Sequence, residues 1–333
     1  MIRLKATTGS SICKQHHLTH RALPASINSP ALESVRAPVT LADARRVIPS
    51  LPEQTIDADL LRIPVGPGAV HVERYGHGGP GIVLLHGFGT SSFVWRTVGP
   101  QLALAKRSAF AIDMLGYGES DRPFGEDFGI AAQAEYLDRA MTALRLPRST
   151  LVGIDVGGGV ALRLAATRPE RVDRLILINS VAFDELPAGD VRAMQRNTAR
   201  FALRASRGVL GAAPLLSPVL EGSVADPAHM PPRLVARYLA PYVGKDGVSH
   251  LLVLGRSIRA DDLEDLDLAR ITAPTLIVWG ELDSWLDASL PDRLATAIPH
   301  SRLVRIPTSG RLVPEEEPDR LAELIIGFTD QHP

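Results

Sequence analysis

Six short stretches of this chain are apolar at nearly every position: Gly81–Leu85, Ser108–Ile112, Ser149–Ile154, Leu175–Ile178, Pro274–Val278 and Leu303–Ile306. A strand wet on one face alternates apolar and polar side chains, so runs without alternation belong to strands covered on both faces. Amphipathic stretches with helical spacing lie between them, at 131–144, 158–167, 291–298 and 318–328. Such alternation of strand and helix builds a mostly parallel, doubly wound sheet joined by right-handed crossovers, an α/β architecture.

One segment breaks the rhythm. From Val181 to about Arg270 no strand pattern appears, and Arg, Ala, Leu and Pro dominate. A bare loop of that length has no place in a compact domain, so the segment predicts several short helices, separated near 211–218 and 226–232. An insertion at this point lies over the carboxyl ends of the strands, where open α/β sheets bind ligands. Residues 181–270 therefore read as a helical lid on a core formed by 61–180 and 271–333.

Residues 1–60 read as a partly disordered N-terminal extension. Their start is basic and rich in hydroxyls, with Arg3, Lys5, Lys14 and Arg21 and no acid before Glu33. That composition resembles an organelle transit peptide or a plain extension, and it lacks the apolar stretch of a secretory signal. His16, His17 and His20 have no carboxylate or thiol neighbours and read as solvated rather than as metal ligands. A short helix is expected at 40–48, before Pro49.

Composition removes several function classes. The 333 residues are 45% apolar and 22% charged, enough for a large core. The balance of 36 basic against 37 acidic residues, net −1, offers nucleic acid or an anionic membrane no attracting field. A single cysteine, Cys13, rules out an internal disulfide or a Cys-based metal site. It suits a reducing compartment, so a cytoplasmic protein is expected. No apolar run approaches the ~20 residues that span a bilayer. The expected partner is a small apolar molecule, with no metal or cofactor. Nothing in the sequence speaks to oligomeric state.

Four segments at predicted strand ends carry the chemistry. His86-Gly87-Phe88-Gly89 follows a buried strand, and its glycines let backbone N–H groups turn into a cavity as an oxyanion hole. Asp113 to Asp121 forms a Gly-rich loop after the next strand, with Asp113 read as a loop cap. Gly153-Ile-Asp155-Val-Gly157 closes a strand and opens a helix. Trp279-Gly-Glu281-Leu-Asp283 follows the strand after the lid.

Taken together, these segments resemble the α/β-hydrolase fold from about residue 65 onward. Gly153-x-Asp155-x-Gly157 resembles the nucleophile elbow, G-x-S-x-G in esterases. Aspartate at its centre resembles the branch containing epoxide hydrolases and haloalkane dehalogenases. The resemblance implies a lid after the sixth strand and Asp155 as a nucleophile that forms an ester intermediate. It further implies oxyanion-hole donors at the Phe88 and Val156 amides, and Asp283 as the acid that orients a histidine.

That histidine is missing. The segment that should carry it reads Pro307-Thr-Ser-Gly310-Arg311-Leu-Val-Pro314-Glu315-Glu316, with Arg311 in the histidine's place. Guanidinium does not deprotonate in proteins and cannot accept a proton from water. With the frame kept, Arg311 is expected beside both Asp155 and Asp283, as a clamp on carboxylates.

The residues leave three readings open. The first is an Asp-nucleophile hydrolase acting on a small epoxide, ester or halide, with an impaired second step or a base from Glu281, Asp121 or the lid. The second is a lyase, isomerase or cyclase using Asp155 and Arg311. The third is a silent ligand-binding protein. Possible substrate contacts are His86, Trp95, Tyr238, Tyr242 and Trp285. Tyr238 and Tyr242, four apart, would share a helix face, although Pro241 disturbs it. Val156 and Phe88 stand where dehalogenases of this resemblance place halide-holding Trp and Asn, leaving a halide without evident donors.

Overall fold

The computed structural model describes residues 57–185, 211–259 and 261–330, within the compact unit Val39–Pro333. The expectations for the basic start, the three histidines and the helix at 40–48 lie outside the described residues.

Eight strands form one sheet: β1 (Asp59–Pro64), β2 (Ala69–Tyr75), β3 (Gly81–Leu85), β4 (Ser108–Ile112), β5 (Ser149–Asp155), β6 (Val172–Ser180), β7 (Thr275–Gly280) and β8 (Ser301–Ile306). Their order is β1-β2-β4-β3-β5-β6-β7-β8, parallel from β4 to β8, with β2 antiparallel to both neighbours. Every residue of β4, β5 and β7 is buried, as their uniform apolar sequences require.

The two strands at the β1 edge were not among the six expected. β1 alternates half-buried and exposed positions and β2 buries Val70 and Val72 alternately, the pattern of edge strands with one wet face. Among the described residues the sheet thus starts at Asp59, close to the boundary of 61 expected for the core.

Helices α1 (Val98–Leu104), α2 (Ile130–Ala143) and α3 (Val156–Thr167) connect the strands. The segment between β6 and β7 contains α4 (Ala213–Glu221), α5 (Pro232–Leu239), α6 (Gly244–Ser257) and a helical turn at Asp261–Glu264, with no strand among the described residues. Helix α7 (Leu290–Ala297), a turn at Val313–Glu316 and α8 (Pro318–Asp330) complete the chain. Among the described residues no helix is long and apolar enough to cross a membrane, and no cluster of His, Cys, Asp and Glu could hold a metal.

The topology marks where an open sheet of this kind would bind a ligand. From β3 the chain passes to β4 on one side, and from β5 it passes to β6 on the other. A crevice opens where neighbouring strands diverge in this way, at their carboxyl ends. Those ends are Leu85, leading into His86-Gly87-Phe88, and Asp155.

Away from that crevice, β2 carries a titratable pair. His71 Nε2 lies 3.9 Å from Glu73 Oε1, and Glu73 also accepts from the Tyr75 hydroxyl at 2.6 Å and Ser92 Oγ at 3.3 Å. The Glu73 carboxylate, helped by Asp113 and Glu119, raises the His71 pKa above 6.5 against the opposing effect of burial. A raised folded-state pKa stabilises fully below the unfolded value and loses its effect as pH climbs through the raised one. Replacing His71 with Gln should therefore lower the urea midpoint more at about pH 5.5 than at about pH 8.5. Equal losses at both would show that the charge on His71 does not matter.

Candidate active site

Asp155 ends β5, and α3 starts at the next residue with no loop between. To make that bend, Asp155 adopts φ 53° and ψ −122°, a region that side-chain-bearing residues rarely enter. Its neighbours explain why the bend is possible. A Cβ at Gly153 would collide with the Gly157 carbonyl, and one at Gly157 with the His86 carbonyl. The G-x-D-x-G spacing is therefore a steric requirement of packing strand, helix and the β3 loop together.

The Asp155 side chain makes no cap bond to its helix. Instead Oδ2 accepts the Phe88 N–H at 2.9 Å, and the residue is 3% exposed. Gly87 clears the space, since a Cβ there would stand 2.8 Å from Oδ2. Val156 is the first helical residue, so its amide is among the four that a helix leaves unbonded. The positive end of the α3 dipole favours a carboxylate at this point.

Arg311 is brought to Asp155, as its position in the sequence predicted. It is buried, with Nη1 3.8 Å from Asp155 Oδ1, Nη2 donating to Ser223 Oγ at 2.9 Å, and the guanidinium 5.7 Å from the Trp285 ring centre. The 3.8 Å separation is an ion pair longer than a hydrogen bond.

Among the described residues the Asp283 carboxylate is bonded to amides rather than to Arg311. Its Oδ2 accepts from Asn179 Nδ2 at 2.9 Å, and Oδ1 accepts the Trp285 and Leu286 amides at 2.8 and 3.3 Å. Asn179 is itself fixed by Gly280, whose N–H it accepts at 2.8 Å and whose carbonyl it meets at 3.1 Å. The acid is thus secured between the ends of β6 and β7.

Other predicted contacts separate into different roles. His86 is committed to the backbone: Nδ1–H donates to the Gly87 carbonyl at 2.8 Å and Nε2 accepts the Met114 amide at 3.1 Å. Burial pushes its pKa down, which keeps the ring neutral and this tautomer in place. With both nitrogens used, His86 shapes the oxyanion loop and is not available to a substrate. Trp95 is fully buried in a 3-10 turn after that loop. Trp285 anchors the insertion, its Nε1 donating to the Gly222 carbonyl at 3.0 Å.

Tyr238 and Tyr242 do not share a helix face. Helix α5 stops at Leu239, and Tyr242 falls in the turn that Pro241 starts. The Tyr238 hydroxyl donates to Glu315, whose carboxylate also receives Arg96 at 2.6 and 2.7 Å. The Tyr242 hydroxyl is buried without such a partner among the described residues.

Two of the bases suggested from sequence are engaged elsewhere, and the third, a lid residue, falls partly on 186–210, outside the described residues. Asp121 pairs with Arg62 and accepts the Ala69 amide at 2.7 Å, and Glu281 lies 3.4 Å from Arg305. Asp113 caps the Gly-rich loop through the Ser92 and Glu119 amides, as read from sequence. Asn179 and Ser223 escaped the sequence reading. Asn179 gave one usable signal, an amide at the end of a buried strand, whereas Ser223 gave none.

Comparison with known proteins agrees with this fold. The family model described as alpha/beta hydrolase fold matches residues 80–318. Haloalkane dehalogenase 2 of Mycobacterium tuberculosis is 28% identical over 277 residues, covering 78% of this chain and 91% of the relative. An α/β hydrolase fold protein from Burkholderia ambifaria is 27% identical with a TM-score of 0.70, over 81% of this chain and 99% of that one. A haloalkane dehalogenase structure from Bradyrhizobium elkani, 23% identical with a TM-score of 0.70 over 82% of this chain and 97% of its own, shares the fold. With the elbow, the strand order and a match across most of its length, the chain belongs to the α/β hydrolase fold family.

Proposed function

We propose that this protein is a hydrolase-type enzyme in which the Asp155 carboxylate attacks carbon in a small apolar epoxide, ester or halide, and in which release of the product is slow. The observation that supports this most is the pairing of a strained, buried aspartate with an arginine where a proton acceptor would stand. A carboxylate is nucleophilic without a base, whereas a serine hydroxyl in its place would need one.

The two Asp155 oxygens have separate roles in this reading. Oδ2 rests on the Phe88 amide at 2.9 Å, so Oδ1 is the attacking atom. Once Oδ1 bonds to carbon, Oδ2 becomes the carbonyl oxygen of an ester, still held at Phe88, with the Val156 amide as the second proposed donor. Water attacking that ester would place charge on Oδ2, where these donors stabilise it. Water must also lose a proton, and Arg311 cannot take it. Asp283 is tied to Asn179 and two amides. The ester should therefore accumulate.

Intact mass measurement tests this directly. Incubation with a panel of small epoxides, esters and alkyl bromides should leave a persistent adduct that maps to Asp155 and is absent from Asp155→Asn. Absence of any adduct across the panel would refute the nucleophile and favour a binding or proton-transfer role for the site.

A further inference from the structure

The helical insertion is fastened to the rest of the chain unevenly. Residues 222–226 are bound at many points. Ser223 accepts the Arg311 guanidinium and the Leu312 amide, each at 2.9 Å, and Glu316 accepts the Ala225 and Asp226 amides at 2.6 and 3.2 Å. The Gly222 carbonyl accepts from Trp285 Nε1 and Ser284 Oγ at 3.0 and 3.2 Å. Farther along, His250 Nε2 donates to the Gly116 carbonyl at 2.6 Å. Between these anchors, among the described residues, 227–243 makes no ion pair, and one hydrogen bond reaches beyond the residues flanking the segment: the Tyr238 hydroxyl donates to Glu315.

The course of this segment follows from what it touches. It starts at Asp226, whose amide is held by the loop after β8, and passes Phe93 after β3, the Phe93 and Tyr238 ring centres 5.6 Å apart. It ends with the Tyr242 ring 5.8 Å from the guanidinium of Arg122, in the loop after β4. In the sheet, β5 with its terminal Asp155 lies between β4 and β8. A strap running from one loop to the other crosses the carboxyl-end face on which Asp155 sits.

Charge decides which part of the insertion can lift. Raising 222–226 would take the Ser223 hydroxyl from a buried guanidinium and two amides from the Glu316 carboxylate, and stripping partners from a buried charge is strongly destabilising. Raising 227–243 breaks one bond to Glu315, which keeps both Arg96 arms at 2.6 and 2.7 Å. The carboxylate stays compensated and the freed phenol turns to water. Both ends of the segment suit a hinge. Asp226 and Val243 have extended backbones, and Gly244 takes φ 79° with open space where a Cβ would stand. Between them Pro227, Pro231, Pro232 and Pro241 fix their own φ, which favours motion as a unit.

We propose that residues 227–243 are the gate of the site, a strap that lifts about Asp226 and Gly244 to admit a small molecule to Asp155 and is latched shut by the Tyr238 hydroxyl on Glu315. Lifting of a lid segment is a step that sets how fast many enzymes load and release. The movement itself does not depend on what Asp155 does. That it admits a reagent to a nucleophile rests on the function proposed above.

Thiol labelling of the full chain tests the gate. Val235 in the strap and Val219 in α4 are each 6% exposed, so a cysteine at either position reacts only when its own segment opens. Val235→Cys and Val219→Cys are each made with Cys13→Ala, with and without Tyr238→Phe, and treated with N-ethylmaleimide. Phe keeps the ring against Phe93 and removes only the latch. Tyr238→Phe should raise labelling at 235 about ten- to a hundredfold, the scale of one bond to a charged group, and leave labelling at 219 unchanged. Alkylation of Asp155 by an alkyl bromide should quicken in the same variant. No gain at 235 would overturn the latch. Equal gains at 219 and 235 would overturn the hinge, since the insertion then opens or unfolds as one. A gain confined to 235, with Asp155 alkylated but no faster, would overturn the gate. A gain confined to 235 with no alkylation of Asp155 by any reagent would uphold the strap and refute the nucleophile.

Discussion

Replacing Arg311 with His should speed hydrolysis of the Asp155 ester by about a hundred- to ten-thousand-fold, the range that a placed general base supplies. The frame for a histidine is largely present. Residue 311 is buried beside Asp155, and the Asp283 carboxylate, although it accepts from Asn179 and two amides, keeps lone pairs for an imidazole N–H. The measurement is decay of the labelled species by intact mass after excess reagent is removed. Arg311→Gln is the control, because it removes the charge without providing a base and should leave the ester as persistent as in the parent. If Gln restores turnover as well as His, the arginine blocks water rather than failing to activate it. If the parent already turns over and His abolishes it, Arg311 has an active part and the slow-release reading is wrong.

The second large effect is on stability. Arg96 donates both guanidinium arms to Glu315, which also receives the Tyr238 hydroxyl, and the Glu315 side chain is 3% exposed. Phe93 is packed against this cluster, its ring centre 4.2 Å from Arg96, 5.0 Å from Arg237 and 5.6 Å from Tyr238. Arg96→Met leaves a carboxylate buried with one neutral donor and should cost about 3–5 kcal/mol, the penalty for removing one partner of a buried pair. Adding Glu315→Leu and Tyr238→Phe should recover most of that loss, since apolar replacement of a whole buried polar group is often neutral or favourable. Urea unfolding of the three proteins gives the comparison. A loss below about 1 kcal/mol for Arg96→Met would mean that water screens the pair as it does surface ones.

The buried half of the sheet was legible because strands wet on neither face leave no polar positions to confuse with anything else. β1 and β2 were not, because alternation over six or seven residues near a polar connector resembles many irregular segments. Helix α1 escaped for another reason: Val98-Gly-Pro-Gln-Leu-Ala-Leu104 carries two residues that weaken a helical pattern. At the site, Asp155 could be read from its glycine neighbours because the bend is a local steric matter. The Asp283 partners could not, since Asn179 lies 104 residues away and reaches it only through the pairing of β6 with β7. Tyr238 and Tyr242 show the limit of spacing arguments. Four residues place two side chains on one face only while the helix continues, and the fate of each hydroxyl was settled by Glu315, 77 residues beyond Tyr238, or by the lack of any such acceptor among the described residues.

The seat of residue 311 has two owners. Ser223 accepts the Arg311 guanidinium N–H on its hydroxyl oxygen and the Leu312 amide on its carbonyl. Glu316 joins the Gly310 amide on one oxygen to the Ala225 and Asp226 amides on the other. A chimaera that imports the insertion from a relative, leaving 309–316 native, would strip the arginine of its hydroxyl and Glu316 of its amides together. Recombination of this scaffold should therefore succeed only when segments 219–226 and 309–316 travel as one cassette.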